Sequence, residues 1–162
     1  MSKTKKLTLM AIFIALSFVG SLIKIPSPLG DIGFDSTAGF TAVLYLGPFP
    51  GAIVTMLGYL VITMSAGFPL GILTIGVALE MFFIAIAYRY FYRMNKALGI
   101  TMGTILNGLV APLIVLPVGG WGLYVGLLPS LTVASVLNFT ASAIIYAALE
   151  RIFKPSLGSK EA

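Results

Sequence analysis

Residues Gly71–Arg93, GILTIGVALEMFFIAIAYRYFYR, form an apolar run with one acid, Glu80, near its middle. The run ends in Tyr88, Arg89, Tyr90, Tyr92 and Arg93. A helix of about 20 residues spans the hydrocarbon of a bilayer, and tyrosines with arginines are the residues that meet headgroups. The stretch therefore predicts a membrane-crossing helix closed by an aromatic and basic girdle. An ionised carboxylate at mid-depth costs roughly 2.5–3.5 kcal/mol even on the mildest scales. Glu80 must find a polar partner on a neighbouring helix, a water-filled cavity, or a proton.

The composition extends that reading to the whole chain. Of 162 residues, 59% are hydrophobic and 9% charged, against about a quarter charged in a typical soluble domain. An all-α polytopic membrane protein follows, a single domain over 1–162. The runs are continuously apolar, whereas the strands of a membrane barrel alternate. With no cysteine, thiolate nucleophiles, disulfides and thiolate metal sites are excluded. The lack of histidine removes the commonest general base and metal ligand; no metal or cofactor site is expected. The net charge of +5 is topological. Lys3, Lys5 and Lys6 precede the first run, Arg89, Arg93 and Lys96 separate two others, and Arg151, Lys154 and Lys160 follow the last. Basic residues stay on the cytoplasmic side, and nothing in this distribution makes a nucleic-acid surface.

Six spans are expected, over residues 7–23, 36–47, 51–65, 71–92, 99–118 and 127–149, with both termini cytoplasmic. The first is read as a retained helix, since Lys24-Ile25-Pro26 follows it rather than a small-residue cleavage site. Ala11 and Ala15 share one face of it, where small side chains allow close helix approach. The connector Lys24–Ser36 interleaves apolar residues with Asp31 and Asp35; it is either a solvated link or a loop folded over something. The pair 36–47 and 51–65, split by Gly47-Pro48-Phe49-Pro50, is short for a core of about 30 Å. Two short spans or a re-entrant hairpin both fit, and two spans are preferred. The glycine-rich Gly119–Gly126, holding Trp121 and Tyr124, reads as an outer loop.

Depth along these helices locates a candidate site. Glu80 falls about 14 Å below the outer end of its helix, and Asn107 and Asn138 roughly 16 Å below theirs. Three polar side chains on three successive helices thus share a plane. Above them lie Trp121, Tyr124, Asp31 and Asp35. An apolar wall with a few convergent polar groups is the make-up of a small-molecule pocket; hydrogen bonding between helices is the plainer use of either asparagine. No phosphate-binding loop, zinc-protease motif or nucleophile elbow is present, so the chain is not expected to be an enzyme.

Six short helices, a basic start, the A-x-x-x-A of Ala11 and Ala15, and Leu44–Gly51, LYLGPFPG, before an apolar helix resemble the substrate-binding S component of energy-coupling factor (ECF) vitamin transporters. The resemblance covers Lys6 to about Arg151. It implies a multi-pass protein of a prokaryotic cell membrane that captures a scarce vitamin or precursor from outside. A transmembrane coupling protein and two ATPases would drive transport, with Ala11 and Ala15 against the coupling protein. Phe34-Asp35-Ser36 and Gly67–Gly71 are similar to members assigned to α-ribazole, the lower-ligand nucleoside of cobalamin. That resemblance adds Phe34 and Asp35 to the substrate contacts; thiamin, riboflavin and pantothenate-type substrates are the alternatives. A stand-alone proton-coupled exporter using Glu80 is the rival from another class.

Overall fold

The computed structural model describes residues 2–25 and 32–153. Asp31 lies outside them. Helix α1 (Lys3–Leu22) is capped by Ser2, whose Oγ accepts from the Lys5 amide. It leads into a strand pair, β1 (Lys24–Ile25) and β2 (Ile32–Gly33), antiparallel with Lys24 opposite Gly33. There follow α2 (Thr37–Leu46), α3 (Pro48–Ser65) and α4 (Leu73–Met94). The last helical run comprises α5 (Lys96–Ile105), a π turn (Leu106–Val110), a 3-10 turn (Ala111–Val115) and α6 (Leu116–Phe153).

By length and composition, α1, α3, α4 and the run 96–153 can each cross a membrane. The α3 helix is longer than expected because Pro48 and Pro50 lie in its first turn and do not break it. Proline is at home there, since its missing N–H would have had no helical partner. The short member is α2, with 10 residues and a length of about 15 Å. It is wrapped by α1, α3, α4 and α6, and Phe40, Ala42 and Val43 are fully buried. The Phe40 ring stacks on Phe139 at 4.1 Å between centroids and meets Tyr88 edge-on at 5.8 Å.

A helix that ends inside the protein leaves carbonyls without partners. Arg89 answers this end of α2: its Nη1 donates to the carbonyl of Val43 at 2.6 Å and to that of Leu44. The guanidinium also complements the negative end of the helix dipole. The girdle reading of 88–93 therefore needs correction. Tyr88 and Tyr92 face the core, Tyr88 with its hydroxyl 2.9 Å from Ser142 Oγ, while Tyr90 faces out. Residues 88 and 92 are four apart, so they share a helical face with Ala85, and residue 90 falls on the opposite side.

The connection expected over 119–126 narrows to a turn at Gly120, where two helical limbs meet. Residues 116–153 are helical throughout apart from Gly120, at φ 60° and ψ −168°. Even so, the chain doubles back there. Asn107 Nδ2 lies 2.8 Å from Ser135 Oγ across 28 positions, which a straight helix would hold about 42 Å apart. Gly103 against Phe139 and Gly108 against Thr132 let the two limbs pack antiparallel.

Candidate functional site

Pro112 has no N–H to donate to the carbonyl four residues back. The backbone ahead of it widens into the π turn, where the Ala111 amide reaches Leu106 O. Such single widened turns are frequent at functional sites. This one carries Asn107. Ser135 Oγ donates to Leu131 O at 2.6 Å, so its hydroxyl can only accept from the asparagine. That fixes the amide with Nδ2 toward Ser135 and leaves Oδ1 buried without a partner.

Glu80, on α4, has the same character: its Oε2 is buried and unpartnered. Both residues line a cavity of about 290 Å³, between α3, α4, the widened turns and α6. Asp35, Ser36, Tyr59 and Asn138 supply its other polar groups, and the rest of the wall is apolar, including Val77, Met81, Ile114 and Leu131. The volume is at the small end of the roughly 300–1,000 Å³ typical of ligand pockets.

Asn138 is placed differently from Asn107, for all its three polar positions are engaged. Nδ2 donates to Gly33 O and Ala134 O, both at 2.9 Å, and Oδ1 accepts from Thr37 Oγ1 at 2.6 Å. It ties the strand pair and the start of α2 to α6, drawing the connector into the bundle. Residues 32–36, the described end of the connector before α2, thus fold inward and carry Asp35 to the cavity wall. Burial raises the Asp35 carboxyl above its ordinary range, with hydrogen bonds at Ser36 and its own backbone opposing. A second, wider cavity of about 430 Å³, lined in part by Ser21, Lys24 and Ser65, shares Asp35, Leu131 and Ala134 with the first.

Of the residues singled out from sequence, Glu80, Asn107, Asn138 and Asp35 meet on one cavity. Phe34, Trp121 and Tyr124 do not line it. Trp121 is 68% exposed and rests edge-on against Tyr124, whose hydroxyl donates to Leu109 O at 3.0 Å. Helical structure through 121–126 carries this pair along the outside of α6. Tyr59 and Ser36 were not anticipated; a tyrosine in the middle of an apolar run was the available signal for the first. Ala11 and Ala15 are both exposed, on the side of α1 away from the buried Phe13 and Ser17.

The arrangement is suited to holding a small molecule. It offers acceptors, apolar walls and an aromatic ring, and among the described residues no three acidic side chains gather as a metal site. No protein-family model and no curated protein sequence matches the chain. A solved structure described as the S component of a bacterial ECF transporter does, with a TM-score of 0.63 and 21% identity. The match covers 96% of this chain and 99% of that one. The chain has the fold of an ECF transporter S component.

Proposed function

We propose that this protein is the substrate-binding membrane subunit of an ECF-type uptake transporter, and that the 290 Å³ cavity is where the substrate sits. The observation that carries the reading is the pair of unpartnered acceptors, Glu80 Oε2 and Asn107 Oδ1, on the wall of that cavity. A polar atom buried without a partner costs about 1–3 kcal/mol, and a bound molecule recovers it. The likeness to an S component supports the same class of role. The α-ribazole nucleoside is the proposed substrate. Its ribose hydroxyls would donate to these acceptors and its heterocycle would lie against Tyr59 and the apolar wall. The chain itself carries out no chemistry; two ATPases and a coupling protein supply the energy.

The charge distribution supports six crossings in a prokaryotic plasma membrane, with the two limbs of 96–153 counted separately and both termini inside. A cysteine replacing the exposed Lys96 should be labelled only from the cytoplasm. One at Gly122, where added atoms meet nothing within 4 Å, should be labelled only from outside. Labelling of both from one side would break the topology.

The exposed face of α1 is proposed to meet the coupling protein. Ala11→Leu and Ala15→Leu enlarge that face without touching the cavity. Purified, these variants should bind α-ribazole as the wild type does, while uptake by the assembled transporter falls at least tenfold. Uptake into liposomes by the wild-type chain alone, driven by a proton gradient, would instead favour the exporter.

A further inference from the structure

The sign of charge around the cavity narrows the ligand further, on the premise that this cavity is the substrate site. Two carboxyl groups, Asp35 and Glu80, line it, and no lysine or arginine does among the described residues. Residues 26–31, between the two strands in sequence, include no basic residue either. Lys24 belongs to the adjoining wider cavity. Arg89 is turned to the carbonyls of Val43 and Leu44. Two residues of this wall each carry a buried oxygen without a partner, Glu80 Oε2 and Asn107 Oδ1.

We infer that the site takes an uncharged or cationic molecule presenting at least two N–H or O–H donors, and rejects anions, including the phosphate esters and carboxylates of otherwise suitable molecules. A carboxylate or phosphate has only acceptors to offer. It would leave Oε2 and Oδ1 unpaired and bring negative charge toward two acids on a wall that carries no lysine or arginine among the described residues. Low-dielectric walls strengthen that repulsion. For a cation or a hydroxylated neutral molecule the same walls favour entry, since clefts lined by one sign of charge concentrate the opposite sign.

The chain has no cysteine, so one introduced thiol reports the local field whatever the natural ligand is. Val77→Cys puts a thiol on the cavity wall; Gly122→Cys puts one in open space as the reference. Each is reacted with a cationic aminoethyl and an anionic sulfonatoethyl methanethiosulfonate. Referenced to Gly122→Cys, the cationic reagent should modify Val77→Cys at least 10-fold faster than the anionic one. Adding Glu80→Gln should cut that preference by threefold or more. Equal rates, faster anionic modification, a preference untouched by Glu80→Gln, or no reaction with either reagent would each overturn the inference. The premise is tested separately: α-ribazole should protect Val77→Cys from the cationic reagent, and α-ribazole 5′-phosphate should not. With the cationic preference present, lack of protection by α-ribazole counts against that substrate, and protection by its phosphate overturns the rejection of anions.

Discussion

Gly51→Ala is expected to cost about 3 kcal/mol or more of stability, more than a single methyl costs in most cores. The reason lies in the hairpin of α2 and α3, which turns on the single residue Gly47 at φ 107°. An added Cβ at Gly51 would stand 2.0 Å from Val43 Cα and 2.4 Å from Val43 N. Both are backbone atoms, so no rotamer change relieves the clash, and one helix must move bodily. Overpacking that side chains can absorb costs about 1–3 kcal/mol. Here the displaced helix is α2, enclosed on several sides, so the shift reaches the Phe40–Phe139 stack and the Arg89 contacts at its end. Gly58→Ala makes a graded comparison, because its neighbour is the Ser17 side chain at 2.9 Å, and should fall between. Gly122→Ala, which meets nothing, is the baseline. Unfolding midpoints in detergent should rank Gly51→Ala lowest, then Gly58→Ala, then Gly122→Ala. Equal midpoints for the first and last would contradict the close packing of this hairpin.

Gly51 ends the stretch LYLGPFPG that stood out in the sequence, and a glycine among prolines between apolar runs is a readable turn signal. Other features were legible for the same local reason. Glu80 and Asn107 are lone polar residues inside apolar helices, where burial makes them expensive and hence informative. Depth alone aligned them with Asn138. What depth cannot reveal is which polar atoms are already engaged: the partners of Asn138, Thr37 and Gly33, are 101 and 105 residues away. Residues 119–126 read as a loop because they hold four glycines in eight residues, Gly119 to Gly126. In the structure a single one, Gly120, takes the non-helical conformation, and the others ride in the helix. Helical neighbours inside a protein compensate glycine's low propensity, which composition cannot show.

Asn138 supplies the other large effect, one that separates positioning from contact. Asn138→Ala removes both donations from Nδ2 and leaves Gly33 O and the Thr37 hydroxyl unpaired, at about 1–3 kcal/mol each. These bonds hold residues 33–37 inward, and with them Asp35 and Ser36 at the cavity. Binding of α-ribazole by the purified chain is therefore expected to fall at least 100-fold, with a lower unfolding midpoint. Asn138→Asp keeps the shape and one acceptor for Thr37, yet it turns a carboxylate oxygen toward the carbonyls of Gly33 and Ala134. It should do no better than alanine. Thr37 does not line the cavity, so Thr37→Val tests the positioning role by itself; it should weaken binding about tenfold through loss of the 2.6 Å bond. Calorimetry on the three variants decides the matter. If Asn138→Asp binds like the wild type, the connector is held by something else; if Thr37→Val binds normally while Asn138→Ala does not, Asn138 touches the substrate directly.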